Sequence, residues 1–494
     1  MISMRKSILY GSLLLISLCT LFASCADTTN PSASNAQTGL KVTVDTSSVL
    51  STSQFAGGIT LTDTMLNDPS QQENPVVTRV KSLIKDGIHY QNTNIMGWGL
   101  NNPWPDPAQA EPSDWSGLDS RLQLIQDTGG TPVITLADAP WWMKGQLQPD
   151  GKTKLLTKGD EWSKLYFDSR VLDNKMSAWV HLVQRVAERY MKAPYNVRYF
   201  QVWNELKGYY NPISNDYDYE TNPGNPSGPN ATHGYTFMYN QIYDTLMQTA
   251  SGLGIAPESI QVGGPYVVLD TWSSSNQGSA SDFAKTYGTY DRRGLDAIKY
   301  WLQYKYGAGF ISLDASNKNR DGVAKSDPFT SAQMFADVVH WIRALDPATY
   351  PGATSLPIWW AEWYATPDKQ SNSNYDNAVK AYAMMQFVKA GGSVALMWGG
   401  SSNDKTDYGI WTKTTDNGGG KPQPWYYSYK ALNDSFATGT TLRNVTVSAP
   451  DKVEALASPD KIMLVNKTNT NVTLTVNSTS VSLTPYQVSI VNYK

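Results

Sequence analysis

Two short apolar runs in this 494-residue chain each end on a single glutamate. The first is Tyr199-Phe200-Gln201-Val202-Trp203-Asn204-Glu205 and the second is Pro357-Ile358-Trp359-Trp360-Ala361-Glu362-Trp363. β-Branched and aromatic residues fill both between turn-prone segments, so each predicts a buried parallel strand. Burying a carboxylate is costly unless it is hydrogen-bonded or put to use. Either glutamate alone is well explained by a structural ion pair with an Arg or Lys. Together they suit a division of labour in which one carboxyl gives up a proton and the other attacks carbon. That chemistry needs both at one cavity mouth. A (β/α)8 barrel offers the place, because its strand ends and the loops after them build the active site. The separation, 362 − 205 = 157 residues, leaves room for about three βα units with long loops at roughly 30 to 50 residues each.

The rest of the chain alternates strand and helix as a barrel requires. Phe55 to Ile59 is the expected first strand, and Val76, Val80, Leu83 and Ile84 fall at helical spacing before Gly87. The second strand runs from His89 to Met96 and ends at Gly97-Trp98-Gly99. The third is Thr131 to Leu136, leading into Ala137-Asp138-Ala139-Pro140-Trp141-Trp142. An amphipathic helix with Trp179, Val183, Val186 and Tyr190 on one side feeds the fourth strand and Glu205. The segment from Lys207 to His233 is long and aperiodic, and its position predicts a substrate-shaping loop. Its Asn215, Asp216, Asp218 and Glu220 do not have EF-hand spacing. Further strands are expected at Ile260 to Tyr266, Phe310 to Asp314 and Val394 to Trp398, with helices over 235–252, 334–345 and 375–391 between them.

Trp-Asn-Glu at a fourth strand and Trp-Ala-Glu-Trp at a seventh resemble the signature of the retaining glycoside hydrolases built on (β/α)8 barrels. Families 39 (β-xylosidases and α-L-iduronidases) and 30 are the most similar. The resemblance implies a carbohydrate substrate, Glu205 as general acid/base, Asn204 on the sugar 2-hydroxyl and Glu362 as nucleophile. The segment at Asp138, Trp141 and Trp142 is similar to one in family 30, with Asp138 placed to bind a hydroxyl and the two Trp residues to stack on a ring. Gly263-Gly264-Pro265-Tyr266 resembles family 39, and Trp398 resembles the Trp that floors the sugar site. Trp98 and Trp360 are further aromatic candidates for that site. Two departures stand out: Gln91 and Asn92 replace an Arg of the second strand, and Asp314 and Ser316 replace a His and Tyr of the sixth. A contact to the nucleophile must then come from elsewhere, and Tyr266 is the expected source.

Composition fits such a reading. The 17 Trp and 29 Tyr suit sugars, whose C–H faces stack on rings while their hydroxyls seek polar tips. A formal charge of −3 with no basic block excludes nucleic acid as a partner. The four histidines, His89, His181, His233 and His340, have no metal-ligand spacing, and no Gly-x-Ser-x-Gly elbow is present. No cofactor and no metal are expected. At the start, Arg5 and Lys6 precede an apolar stretch from Ile8 to Phe22 that is short for a membrane span. Phe22-Ala23-Ser24-Cys25 resembles a bacterial lipoprotein cleavage site, with Cys25 lipidated and the membrane touched only through that anchor. The alternative is an ordinary signal peptide and a secreted chain. The expected division is a leader over 1–24, a tether over 25–38, a strand over 39–48, a barrel over 49–435 and a β-sandwich over 436–494. In that last region short alternating runs replace helices, and the strand near Val42 completes the sandwich from the other end of the chain.

Retaining chemistry requires Glu205 protonated and Glu362 ionised, and burial beside a charged Glu362 is expected to raise the Glu205 pKa. The resemblance points first to β-xylosidase-like action; the alternatives are an endo-acting glycanase of the same superfamily and a non-catalytic surface glycan-binding lipoprotein on an inactive barrel.

Overall fold

The computed structural model describes residues 39–219, 234–274, 284–285, 288–325, 327–367, 372–402 and 408–494. Eight parallel strands close into a barrel. They are Ala56–Thr60, Tyr90–Asn94, Thr131–Leu136, Tyr199–Val202, Gln261–Val268, Phe310–Ser316, Ile358–Tyr364 and Val394–Trp398. Each pairs with the next in chain order, and the eighth returns to the first with Trp398 opposite Thr60. Helices run between the strands because their sequences carry the right stripe and caps. Pro75–Gly87 starts at Asn74, whose side chain accepts the Val76 N–H, with Pro75 in the first turn. Met176–Tyr190 buries Trp179, Leu182, Val183, Val186 and Tyr190 and delivers the chain to the fourth strand.

The barrel interior is layered. At the bottom, Tyr90, Tyr199, Phe310 and Trp359 form an aromatic plug, with Phe310 stacked on Trp359 at 3.8 Å between centroids. Above it lies a buried polar layer. Asn92 donates to Thr60 at 3.0 Å, Thr135 to Asn92 at 2.8 Å, Gln201 to Thr135 at 3.0 Å and Ser312 to Gln201 at 2.8 Å. Asn92 is a hub of this layer, whereas Gln91 turns outward to Thr128. Five strands are thus cross-linked beneath their C-terminal ends, which holds the residues above them in register.

A separate seven-stranded, mostly antiparallel sheet takes its strands from both chain ends. Leu40–Thr52 pairs antiparallel with Thr441–Val447 and parallel with Val472–Val476. Val42, Val44, Leu464, Leu474 and Leu483 share its apolar core. The N-terminal strand runs four residues past the expected end at 48, because the pairing with Thr441–Val447 resumes beyond irregularities at Asp45 and Val49. The sheet leans on the barrel helices through the stacked pair Tyr375 and Tyr486 and the ion pair of Lys389 with Glu454. Two small three-stranded sheets, unforeseen in the sequence, follow the third and fifth barrel strands. Among the described residues no helix is long and apolar enough to cross a membrane. The leader, the tether and Cys25 lie outside the described residues, as does Glu220.

Candidate active site

At the C-terminal ends of the strands the backbone is forced into conformations that side-chain-bearing residues avoid. Trp98, Asp138, Trp203, Glu205 and Tyr266 all have φ between 51° and 68°. Each such residue costs on the order of 1–3 kcal/mol and persists only where the surroundings dictate it. These five stand at the ends of the second to fifth strands, so the strain is concentrated at one end of the barrel.

There the structure brings Glu205 and Glu362 together with a third acid, Asp314. One carboxyl oxygen from each lies within 4.8 Å of the other two. Asp314 stands opposite Glu362 where the sixth and seventh strands pair, and both are nearly buried, at 2% and 6% exposed. Glu205 opens onto a cavity of about 830 Å³ whose wall includes Lys207, Tyr217, Trp272, Arg293 and Arg320.

The glutamates have unlike partners. Lys207 Nζ sits 2.5 Å from Glu205 Oε2. Glu362 instead accepts the Tyr266 hydroxyl on Oε2 at 3.3 Å and the Tyr364 hydroxyl on Oε1. Tyr266 therefore makes the expected contact to Glu362, and Tyr364 adds a second donor. Burial pushes Glu205 upward, but its hydrogen bond with Asp314 and the Lys207 ammonium outweigh burial and hold it below the usual carboxyl range. Burial and the charge on Glu205 push Glu362 up to about 8 against the two phenols and Lys207. This corrects the expectation that Glu205 holds the proton in the free protein: a cation two residues along the chain stabilises its charged form. Asp314, buried and facing two other acids, is pushed well above the ordinary range.

The remaining predicted residues divide into two groups. Asn204 is nearly buried beside Glu205, and Asp138 accepts the Asn94 amide at 2.7 Å. Burial raises the Asp138 pKa, and the buried Lys144 faces it. Burial also takes Lys144 down to about 8, with its ammonium over the Tyr166 ring at 3.8 Å. Trp98 is exposed and meets Trp398 edge-on at 5.0 Å. Those two rings line a smaller cavity of about 340 Å³ with Thr62, Asp63 and Ser401.

One expectation, that Trp360 lines the sugar site, needs correction. Trp360 is fully buried with its ring against Phe335 and Phe387, because it faces the helical layer rather than the barrel mouth. Trp141 and Trp142 are half-buried and their indole N–H groups are tied to the backbone carbonyls of Pro105 and Trp104, at 3.2 and 2.8 Å. They brace the loop after the second strand, and neither lies in the wall of the larger cavity. Asn215 binds Arg293 and Tyr210 at 2.8 and 2.9 Å.

Sequence reasoning passed over Lys207 and Tyr364, and it treated Asp314 only as a departure from a pattern. Lys207 and Tyr364 each stand two residues beyond a site glutamate, and that spacing was the available signal. A trio of carboxyls is also an arrangement that collects cations, but the Lys207 ammonium already supplies compensating charge on Glu205.

No protein-family model matches the chain, and neither does the sequence of any curated protein. Solved structures do. A conserved exported protein from Bacteroides fragilis superposes with a TM-score of 0.59 at 10% identity, over 91% of this chain and 99% of that one. A GH30 endoxylanase from Clostridium papyrosolvens gives 0.52 at 10% identity, over 91% and 98%. A monomeric β-xylosidase from Caulobacter crescentus gives 0.50 at 15% identity, over 86% and 76%. What the chain shares with them is the fold, a closed eight-stranded parallel barrel with a separate, mostly antiparallel sheet.

Proposed function

We propose that this chain is a retaining glycoside hydrolase of the (β/α)8 superfamily to which families 39 and 30 belong, with Glu362 as nucleophile and Glu205 as acid/base. The observation that carries this reading is the approach of the two glutamates, remote in sequence, to within 4.8 Å between oxygens at the barrel mouth. Retaining enzymes hold their carboxyls about 5 to 5.5 Å apart and inverting ones about 6.5 to 9.5 Å, with room for a water between. The spacing here favours direct attack.

In the first step a Glu362 oxygen bonds to the anomeric carbon while the Glu205 proton passes to the departing oxygen, whose bond to that carbon breaks. Esterification removes the charge on Glu362, so Glu205 can then act as a base. It takes a proton from water, the water oxygen displaces Glu362, and the sugar leaves with its configuration retained. Entry into this cycle requires the proton that the free protein favours on Glu362 to move to Glu205. Lys207 is the more exposed partner of its ion pair, and its displacement by the incoming sugar weakens the contact that keeps Glu205 charged. Asn204 and Asp138 are the proposed hydroxyl contacts, and Trp98 and Trp398 the proposed stacking rings.

The β-xylosidase and endoxylanase among the structural neighbours make xylose-type substrates the first to try. The leader pattern ending at Cys25 supports export with a lipid anchor, and the change of texture near residue 436 supports a barrel followed by a β-sandwich. The test is release of aglycone or reducing ends from aryl β-xyloside, β-glucoside, α-L-arabinoside and xylan. Turnover that disappears in Glu362→Gly supports the proposal. Oligosaccharide binding with no release by the unaltered chain supports a glycan-binding role instead.

A further inference from the structure

Asp314 is the member of the acid trio that double displacement leaves without a task. The residue is 2% exposed, and one of its carboxyl oxygens lies within 4.8 Å of an oxygen of Glu205 and of one of Glu362. Three largely buried carboxyls this close together cannot all be ionised, so at least one of them carries a proton. The other partners say which one does. Lys207 sits 2.5 Å from Glu205 and favours charge there. The other cations of the cavity are committed elsewhere: Arg320 pairs with Asp270 at 2.5 Å and Arg293 with Asp291 at 2.5 Å. The oxygens of Glu362 accept from the two phenols. A neutral Asp314 donating to Glu205 is the arrangement that satisfies all of these contacts.

We propose that Asp314 is a positioning residue that remains a neutral carboxylic acid in the working enzyme, its O–H donated to Glu205 to fix the orientation of the acid/base. This rests on the roles proposed above for Glu205 and Glu362. The charges close: three carboxyls holding two protons, with one ammonium, make a neutral cluster suited to a buried site. One proton stays on Asp314, and the second is the one that Glu205 and Glu362 exchange during the reaction. The groups that face Asp314 come from several elements. Glu205 follows the fourth strand, Tyr266 lies in the fifth and Asp270 beyond it, and Glu362 and Tyr364 stand on the seventh, with Lys207 paired to Glu205 and Arg320, after the sixth strand, paired to Asp270. Burial among so many acids is the setting that keeps a carboxyl protonated.

The test compares Asp314→Asn and Asp314→Ala in the full chain by the pH dependence of kcat/KM on an aryl glycoside that the unaltered enzyme cleaves. The amide keeps a donor to Glu205 without a charge. Its limbs should stay within about 0.3 pH unit of the unaltered enzyme, whereas loss of the donor in the alanine variant should move the acid limb up by about one unit. Limbs that fall in both variants would mean that Asp314 is charged, and limbs that stay put in both while the rate drops would mean that it only packs. Either result overturns the proposal. A second readout does not depend on turnover. At a pH of about 9, above the value of about 8 to which Glu362 is pushed, the infrared C=O band of a protonated carboxyl should persist in the unaltered chain and vanish in Asp314→Asn. Absence of that band refutes a neutral Asp314. A persistent band in a chain that cleaves no glycoside instead refutes the hydrolase reading alone.

Discussion

The ends of the fourth and seventh barrel strands present the same residue type at the same level of the same fold, yet they prepare it differently. Glu205 stands on a strained backbone, φ 51°, opens onto the larger cavity and faces a lysine. Glu362 lies within the seventh strand, directly after a pairing irregularity, is nearly buried and rests between two phenols. Once Glu362 is ionised, hydrogen bonds to the charged group contribute about 1.5–3 kcal/mol each, so the two tyrosines then hold it firmly and aim it. An ion pair with a half-exposed lysine holds Glu205 loosely enough to be broken. The difference teaches that position in the fold gathers the acids, whereas their neighbours set them apart, as the proposed division into a nucleophile and an acid/base requires.

The largest expected effect on this comparison comes from Glu362→Gly, which removes the attacking group and should lower kcat by on the order of 10⁴-fold or more on every substrate. Steady-state assays on the aryl glycosides check it, and near-normal turnover would end the contrast between the two acids. Glu205→Ala should be selective. Substrates with poor leaving groups should lose roughly 10²–10⁴-fold, the usual range for general acid catalysis, while aryl glycosides with good leaving groups lose far less in their first step.

Lys207→Met sharpens the comparison without touching either acid. The ammonium favours the charged forms of both Glu205 and Glu362, so its removal should shift both limbs of the pH profile upward, by about one unit for Glu205 and less for Glu362. A shift to lower pH would contradict the electrostatic account. Stability should follow pH with a matching sign. A buried carboxyl whose folded pKa rises to about 8 favours the folded state below its unfolded value and loses that contribution as pH climbs through the folded one. Thermal melting should therefore fall by several degrees between a pH of about 5 and about 8.5, with a flatter slope in Glu362→Gln. The smallest effects on catalysis separate the tryptophans. Trp98→Ala should raise KM by roughly fivefold through lost stacking. Trp360→Ala should leave KM alone but cost about 3–5 kcal/mol of stability by opening a cavity in the helical layer.

Much of this arrangement is written in local patterns. Apolar runs mark most of the barrel strands because a buried parallel strand is apolar on both faces, the polar second strand Tyr90–Asn94 being the exception, and the two glutamates are conspicuous because they interrupt such runs. Val42 and its neighbours alternate strongly enough to announce a sheet strand far from its partners in sequence. What stays hidden depends on side-chain direction. A one-residue irregularity where the sixth and seventh strands pair, between Leu313 and Asp314, accompanies the arrangement in which Trp360 turns to the helices and Asp314 meets Glu362. No residue type signals that shift. The ion pair of Glu205 with Lys207 is likewise invisible as periodicity, since it arises from consecutive positive φ values at Glu205 and Leu206. The loop tryptophans Trp141 and Trp142 have the right chemistry for a sugar, but backbone carbonyls of a neighbouring loop engage their N–H groups.

The most direct test of the central claim is to trap the covalent intermediate. The protein would be incubated with a 2-deoxy-2-fluoro glycoside carrying a good leaving group, matched to the sugar found in the substrate screen, then digested and mapped by peptide mass spectrometry. The account predicts one added fluoroglycosyl group per chain, on Glu362. A label on Glu205, or continued turnover by a double displacement in which Glu362 never carries the sugar, would contradict it.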